Sequence, residues 1–448
     1  MAEATPSKAS SFMEAKFLPV AARIGGERHL LALRDGIMMT LPLLIVGAFS
    51  MIIAEFPVPA FTDFMASVFG DGWNSFEGIL MNATYGIASI VACFGVAYSL
   101  VNSYKIDGVP AGMISVASLF VIIVPASLMK DGEATDAWTT DMFTAVNLFV
   151  ALVIALIVGE IYRFFVQRNI TLKMPKQVPP TVARQFTALI PGIVILVLFL
   201  IVRGLFAMTA WGSFPQFFSD AISTPLRNVG TSYGGTLIAV FAEHFLWSLG
   251  LHGSSIVIWS ILEPMWLVNM QENVTAIQAG QPAPNIVTTT FYECGVWIGG
   301  SGATLPAVIW MLMFAKSKLC KQIGKIAIGP GIFNINEPFT FGMPVVLNPF
   351  LMIPFILAPA AVMTVEYIGC MIGFFPISNY VIPWTTPYFV SGFLTTKSFM
   401  GVVMNVILFA VAFFIWLPFV RVWDKRCYKQ EHEDEDDVPL AVVGAAAA

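Results

Sequence analysis

The stretch Gly331-Ile-Phe-Asn-Ile-Asn-Glu-Pro-Phe-Thr-Phe-Gly342 places a carboxylate, Glu337, between asparagines and a proline in a strongly apolar part of the chain. An ionised side chain at the centre of a bilayer costs about 3 kcal/mol or more. Pro338 interrupts a regular helix, and broken backbone at membrane depth is tolerated only inside protein or along a water-filled cavity. This stretch therefore predicts the site of a transporter, where a polar ligand is held.

The composition predicts a polytopic membrane protein. Of the 448 residues, 57% are hydrophobic and 11% are charged, whereas soluble domains carry about 25% charged residues. We therefore expect an all-α fold with about ten transmembrane helices and additional re-entrant pieces. The apolar stretches that carry this expectation are 31–56, 85–104, 112–129, 142–165, 186–206, 235–249, 303–314, 350–374 and 401–419.

The distribution of charge predicts the orientation. Basic residues cluster at 8–28, 163–184, 316–325 and 421–429, whereas residues 55–80 contain no Lys or Arg. The positive-inside rule places these clusters and both termini in the cytoplasm, which requires an even number of spans. The first 28 residues are polar and basic, so we expect no cleavable signal peptide. Localisation in a cell membrane, as a multi-pass protein, follows.

Several function classes are disfavoured. The five cysteines are scattered without metal-ligand spacing, and no P-loop glycine pattern is found. Basic residues are confined to short segments beside the apolar stretches, which is not the pattern of a nucleic-acid surface. We expect no metal, no cofactor and no nucleic-acid partner.

The chain divides into two halves, because Gly- and Pro-rich interruptions of apolar sequence become frequent after residue 231. Such interruptions are typical of discontinuous helices that expose backbone groups to a substrate. The acidic end of the chain predicts a solvated, disordered tail, whose residues 444–448 resemble an expression-vector remnant. The expected units are a cytoplasmic N-terminal segment (1–28), a scaffold and dimerisation half (29–211), an interfacial linker helix (212–231), a substrate-transport half (232–423) and a cytoplasmic tail (424–448).

Four motifs occur in an order that resembles a known family. They are GLHGS at 250–254, WIGGSGAT at 297–304, GIFNINEP at 331–338 and IPWTTP at 382–387. Together with the N-terminal patterns at 16–21 and 28–35, they are similar to enzyme IIC, the membrane permease component of bacterial sugar phosphotransferase systems, in the lactose, cellobiose and diacetylchitobiose branch. The resemblance covers nearly the whole chain.

The resemblance implies a homodimer whose subunits have about ten transmembrane helices and a pair of re-entrant helical hairpins. Such a permease moves a beta-linked disaccharide inward by an elevator-type motion and presents its C6 hydroxyl for phosphorylation. The donor is a phosphocysteine on enzyme IIB. Because none of the five cysteines lies in a globular segment, we expect enzyme IIB to be a separate polypeptide that docks on the cytoplasmic basic loops. Phosphotransfer would then require both proteins together.

Glu337 and His252 are the expected catalytic residues. Glu337 can take the proton of a sugar hydroxyl as phosphorus is attacked, and the resemblance implies that it contacts the sugar. The alternative is a structural carboxylate satisfied by backbone N–H groups at a half-helix start. His252 can bond the reacting hydroxyl and stabilise phosphoryl charge, or it can be a satisfied core histidine, as we expect for His244. Gly253 is expected to lie in an irregular turn that faces the substrate.

The remaining candidates for substrate binding are polar or aromatic. Asn334 and Asn336 can each donate to and accept from sugar hydroxyls, or they can cap the broken helix. Glu293 is a second carboxylate in an apolar segment, near a point where the family often has an acid. Trp384 offers a face for stacking on a sugar, or it anchors the protein at the membrane interface.

Two other functions remain open at this point. A proton-coupled sugar symporter would use Glu337 as a proton carrier, because it also needs an intramembrane acid. A membrane scaffold or sensor without transport would have no use for Glu337, His252 and the asparagines on broken helices. Dependence on phosphorylated enzyme IIB or on a proton gradient separates the first two, and sugar binding tests the third.

Overall fold

The computed structural model describes residue 23 and residues 26–54, 59–130, 133–144, 147–172 and 186–436. Most of the predicted N-terminal segment (1–28), part of the basic cluster at 163–184 and the end of the predicted tail lie outside these residues. The described chain is almost entirely helical, which confirms the expected all-α class.

Most of the described N-terminal half is helical. Its helices are α1 (Arg28–Met38), α2 (Leu41–Ala54), α3 (Pro59–Phe69), α4 (Phe76–Thr84), α5 (Ala88–Ser103), α6 (Val109–Ile122), α7 (Leu148–Gln167) and α8 (Leu189–Ala207). The region predicted to be an interfacial linker contains α9 (Phe214–Phe218) and α10 (Thr224–Gly230).

The helices of the C-terminal half vary more in length and are interrupted more often. They are α11 (Tyr233–Ser248), α12 (Glu263–Gln278), α13 (Leu305–Phe314), α14 (Lys318–Ile332), α15 (Glu337–Gly342), α16 (Pro349–Met371), α17 (Tyr388–Thr396) and α18 (Phe399–Asp436). Two further segments, Ser254–Leu262 and Phe291–Val296, are π-helical. Such wide turns often occur at functional sites.

Six helical stretches among the described residues are long and apolar enough to cross a membrane. They are Arg28–Gly47, Trp73–Ser103, Leu148–Gln167, Leu189–Ala207, Pro349–Met371 and Phe399–Glu433. Three shorter apolar helices accompany them. The count of about ten spans stays a prediction.

The apolar stretch 112–129 is not one continuous span. Helix α6 ends at Ile122, and an antiparallel hairpin follows in which β1 (Ala126–Lys130) pairs with β2 (Glu133–Ala137). Pro125 explains the end of the helix, because proline lacks an N–H and disfavours helical backbone in the residue before it. This strand pair was not expected from the sequence.

The N-terminal half is built on a close helix crossing. A Cβ added to Gly95 of α5 would lie 2.9 Å from the Cα of Gly36 in α1. Small residues allow helices in membranes to approach in this way, which increases their van der Waals contact. Helix α5 also packs against α6 and α7, so it lies at the centre of this half.

Helix α1 also contacts the C-terminal half, because it packs against the π-helical segment Ser254–Leu262. Within α1, Arg34 forms a 2.6 Å ion pair with Asp35, and Ser99 of α5 donates a 3.1 Å hydrogen bond to the same carboxylate. The N-terminal half therefore lies directly against the segment that follows His252.

The chain from the start of α14 to the start of α16 begins at the C-terminal end of α18 and returns to that end. At the start of α14, the backbone N–H of Leu319 donates a 2.9 Å hydrogen bond to Glu431 of α18. At the start of α16, the ring of Phe350 stacks 6.5 Å from that of Trp423. With 15 residues, α14 is about 22 Å long. The stretch that carries Glu337 is therefore reached by a re-entrant path.

The predicted disordered tail (424–448) begins too early. Helix α18 continues to Asp436 because its end is bonded to the start of α14. Asp424 accepts hydrogen bonds of 3.0 and 2.9 Å from the backbone N–H groups of Lys316 and Ser317, and Glu431 accepts one of 2.7 Å from the Ser317 hydroxyl. Residues after 436 lie outside the described chain.

Candidate functional site

A narrow cleft collects most of the residues that the sequence singled out. It lies where the motifs at 250–254, 297–304, 331–338 and 382–387 meet. Its lining residues are Trp247, His252, Ser254, Trp259, Trp297, Gly300, Ser301, Asn334, Asn336, Glu337 and Trp384. Residues that are far apart in the chain are thus brought to one place by the broken helices of the C-terminal half.

Glu337 occupies the first position of α15 and is half-buried at the cleft. No residue of the described chain donates a hydrogen bond to the Glu337 carboxylate. A structural carboxylate at a helix start would accept such bonds from backbone N–H groups. The geometry therefore favours the interpretation that Glu337 is available to a ligand.

His252 is held by bonds to one ring nitrogen. Its Nδ1 accepts a 3.2 Å hydrogen bond from the backbone N–H of Ser255 and lies 2.9 Å from the Ser255 hydroxyl. Because the backbone N–H can only donate, the neutral ring carries its proton on Nε2. No described residue bonds Nε2, so this N–H is available as a donor to a ligand.

Four tryptophans and His252 supply the aromatic part of the cleft walls. The His252 ring lies 4.4 Å from that of Trp247 and 5.7 Å from that of Trp259. Trp259 in turn lies 6.0 Å from Trp297 and 6.1 Å from Trp384. Rings at these separations offer the flat apolar faces on which sugar rings pack. Trp384 was predicted, but the other three tryptophans were not.

Asn334 joins three of the motifs and has a positive φ of 61°. Its Oδ1 accepts a 2.9 Å hydrogen bond from the backbone N–H of Gly299. Its Nδ2 donates to the carbonyl oxygens of Trp384 and Thr386, at 2.7 and 3.2 Å. Both amide hydrogens are thus engaged in fixing the backbone. This arrangement favours a structural role for Asn334 over donation to a sugar.

Asn336 keeps one polar atom for a ligand. Its Nδ2 donates hydrogen bonds to the carbonyl oxygen of Ser301 and, at 3.1 Å, to the hydroxyl of Thr340. In the described part of the chain nothing donates to its Oδ1. Since sugar hydroxyls can donate, Asn336 is better placed than Asn334 to contact one.

Two of the predicted residues lie behind the cleft. Gly253 does not line it, because its Cα packs so closely on the backbone of Glu243 that a Cβ would collide with it. Glu293 is buried and accepts a 3.0 Å hydrogen bond from the indole Nε1 of Trp259. Gly253 therefore permits a close approach between segments, and Glu293 orients a wall residue.

Glu243 was not among the predicted site residues, yet it organises the base of the cleft. Its carboxylate is fully buried and accepts hydrogen bonds from Ser254 at 2.5 Å, Ser301 at 2.9 Å and Tyr292 at 2.5 Å. The hydroxyls of Ser254 and Ser301 are 3.0 Å apart. A carboxylate satisfied by several donors holds those donors in a defined orientation.

The cleft is too small for a sugar in this conformation. Its cavity volume is about 30 Å³, which is room for roughly two water molecules. A disaccharide therefore enters only if the walls move, and the tryptophan side chains are the largest parts of those walls. The described residues contain no group of three or more His, Cys, Asp or Glu side chains suited to a metal ion.

Helices that can cross a membrane, with a polar and aromatic cleft at their interruptions, define a membrane transporter for a small polar substrate. The family model described as "Phosphotransferase system, EIIC" matches residues 34–359. The chain therefore belongs to the EIIC family of the phosphotransferase system, the membrane permeases that act in sugar uptake.

Similar proteins cover nearly the full length of the chain. It is 42% identical over 438 residues to the lichenan permease IIC component of Bacillus subtilis, covering 96% of each protein. It is 40% identical to the cellobiose-specific EIIC component of Geobacillus stearothermophilus, covering 97% of this chain and 98% of that protein. None of these similarities supports the proton-coupled symporter.

A solved structure has the same fold. The crystal structure of ChbC, the IIC component of the N,N'-diacetylchitobiose-specific phosphotransferase system, superposes with a TM-score of 0.90 at 40% identity. The match covers 94% of this chain and 99% of that one. In a more distant relative, the lactose-specific EIICB component of Staphylococcus epidermidis, 31% identity over 432 residues covers 92% of this chain and 70% of that protein.

Proposed function

We propose that this chain takes up a beta-linked disaccharide of the cellobiose or diacetylchitobiose type and presents its C6 hydroxyl to a phosphocysteine of enzyme IIB. The observation that carries the proposal is the free carboxylate of Glu337 in one cleft with the donor N–H of His252. The sugar class is supported by the names of the similar proteins, which include cellobiose- and diacetylchitobiose-specific components.

In this proposal Glu337 is the general base. It takes the proton of the C6 hydroxyl while the oxygen attacks phosphorus, so that an O–P bond forms as the S–P bond to the cysteine breaks and a thiolate leaves. The Nε2–H of His252 donates to the phosphoryl oxygens, whose negative charge it stabilises. A positioned acid–base group typically contributes about 100- to 10,000-fold to the rate.

The binding residues have separate tasks. The face of Trp384 stacks on an apolar sugar face, and the Oδ1 of Asn336 accepts from a sugar hydroxyl. Asn334, Glu293 and Gly253 position the walls rather than touch the sugar. The unbonded carboxylate of Glu337 is left for the reacting hydroxyl, and the open Nε2–H of His252 is left for the phosphoryl oxygens.

The proposal includes a partner and an orientation. Enzyme IIB docks on the cytoplasmic side, where the basic clusters at 316–325 and 421–429 lie. Both termini lie on that side, and the functional unit is a homodimer in which the transport half (232–423) moves against the scaffold half (29–211). The existence of a relative named as an EIICB component is consistent with a partner at this face.

The test uses purified protein in liposomes with cellobiose, diacetylchitobiose and lactose supplied one at a time. Phosphorylated enzyme IIB is added on the cytoplasmic side, and phosphosugar is counted with and without a protonophore. We expect phosphosugar from at least one sugar, unaffected by the protonophore and absent when the enzyme IIB cysteine is replaced by alanine. Uptake of free sugar that needs a proton gradient and no enzyme IIB would contradict the proposal.

A further inference from the structure

A second cavity, of about 370 Å³, lies outside the cleft at the basic end of α18. It is formed where the end of α13 and the connection to α14 meet one face of α18. The cations that line it are Lys316, Arg421 and Lys425, and its aromatic walls include Trp310, Phe314 and Tyr428. The cavity is thus positively charged and apolar at once.

The depth of the cavity in the membrane follows from α18. Residues 399–420 contain no charged residue, and their length of about 33 Å matches the hydrocarbon thickness of about 30 Å. The next residues, Arg421 and Lys425, therefore lie at the level of the lipid headgroups. The positive-inside rule assigns this level to the cytoplasmic leaflet.

The cavity keeps a net positive charge, because its three cations outnumber the single carboxylate, Asp424, that lines it. Arg421 and Lys425 are four residues apart and so share a face of α18, and both are exposed, as is Lys316. None of the three forms an ion pair with a described carboxylate. Asp424, which also lines the cavity, is already engaged by the backbone N–H groups of Lys316 and Ser317.

We propose that this cavity binds the phosphate headgroup of an anionic phospholipid from the cytoplasmic leaflet. Lys316, Arg421 and Lys425 would donate to the phosphate, and basic cavities between membrane helices on this side are suited to such headgroups. Phe314 is apolar and 57% exposed, so it offers a surface for the first acyl carbons. An apolar rim beside cations fits an amphiphile better than a free anion.

A bound lipid would also connect two helices that matter for the cleft. Lys316 lies two residues before α14, whose far end leads to Glu337, whereas Arg421 and Lys425 belong to α18. Asp424 and Glu431 already bond these helix ends together. The lipid phosphate would reinforce this junction from the membrane side.

The experiment titrates delipidated full-length protein with phosphatidylglycerol or with phosphatidylcholine of the same acyl chains, and counts bound lipids by native mass spectrometry. We expect preferential binding of phosphatidylglycerol. Arg421→Gln/Lys425→Gln should weaken it by roughly 30-fold, because each cation near the surface contributes about a fivefold factor. Lys321→Gln/Lys325→Gln removes the same charge from exposed positions on α14 outside the cavity and should leave the binding unchanged.

Other outcomes would overturn the proposal. Equal binding of phosphatidylcholine would mean ordinary apolar contact, and full competition by inorganic phosphate would mean a site for a free anion. Loss of enzyme IIB binding in Arg421→Gln/Lys425→Gln, with phosphatidylglycerol binding intact, would assign the cavity to protein docking. Sugar binding verifies that each variant is folded. If the double variant does not fold, Lys316→Gln should weaken phosphatidylglycerol binding by about fivefold, and no change would count equally against the site.

Discussion

The side-chain oxygen of Asn334 accepts a 2.9 Å hydrogen bond from the backbone N–H of Gly299. This bond joins the stretch that leads to Glu337 to the glycine-rich turn on the opposite wall of the cleft. Both residues have positive φ, 61° for Asn334 and 78° for Gly299. The left-handed conformation favours Gly and Asn over other residues. Both residues of this junction are therefore of a type that suits the backbone conformation in which they form the hydrogen bond.

Replacing Asn334 with glycine should remove the junction and keep the backbone conformation. We expect a loss of about 3 kcal/mol in the free energy of unfolding, because partners in a buried region are left unpaired. Asn334→Ala should cost about 1 kcal/mol more, since alanine disfavours positive φ. Unfolding of the purified variants in detergent measures both values. The exposed Asn82→Ala is the control, and an Asn334→Gly protein as stable as that control would contradict the assignment.

Gly300 tests whether the close approach of the two walls is needed. It has a φ of 92°, and an added Cβ would lie 2.9 Å from the Cβ of Asn336. Gly300→Ala should therefore combine backbone strain with displacement of Asn336 and weaken sugar binding by about tenfold or more. Gly280→Ala is the matched control, because Gly280 has a φ of 70° and open space around it. Similar binding losses in both variants would show that strain alone is responsible.

Glu243 should act on the sugar through Ser254 and Ser301. Glu243→Gln replaces an acceptor by an amide that also donates, so the two hydroxyls must reorient. We expect sugar affinity to fall by at least about tenfold. In a double-mutant cycle with Ser254→Ala, the two losses of sugar affinity should not add, because both mutations break the same hydrogen bond. Additive losses, or an equal loss of sugar affinity in the exposed Glu433→Gln variant, would contradict a role of Glu243 in sugar binding.

The small volume of the cleft predicts that sugar binding moves its walls. Since four tryptophans line the cleft, adding sugar should change the intrinsic tryptophan fluorescence in a saturable way. Trp384→Phe should reduce this change and weaken binding by about 1–2 kcal/mol, through lost area and stacking. Trp211→Phe, which changes an exposed indole far from the cleft in sequence, is the control. A sugar that binds without any fluorescence change would contradict wall movement.

The parts of the site that could be predicted from the sequence are those that interrupt regular structure. Glu337, His252 and Trp384 stand beside Gly or Pro, and Asn336 stands two residues before Pro338. The fold brings all four to one cleft. A polar group at such a break indicates a ligand site, because unsatisfied backbone groups and charged side chains both cost free energy in lipid.

Other parts of the site carry no such local signal. Glu243 and Trp247 lie in the ordinary helix α11, so their roles depend on which segments pack against that helix. Gly253 and Asn334 stand at breaks, yet their contacts are with backbone, which local pattern cannot distinguish from contact with a sugar. The continuation of α18 to Asp436 likewise depends on long-range bonds from Asp424 and Glu431.

The most direct measurement compares sugar binding and phosphosugar formation for the native chain and Glu337→Gln. Phosphorylated enzyme IIB is supplied to both in liposomes, and sugar affinity is measured separately. A base that acts on the C6 hydroxyl predicts a loss of about 100-fold or more in phosphosugar formation, with sugar affinity changed far less and Glu433→Gln unaffected. Phosphosugar formed at the native rate by Glu337→Gln would contradict the assignment of Glu337 as the base.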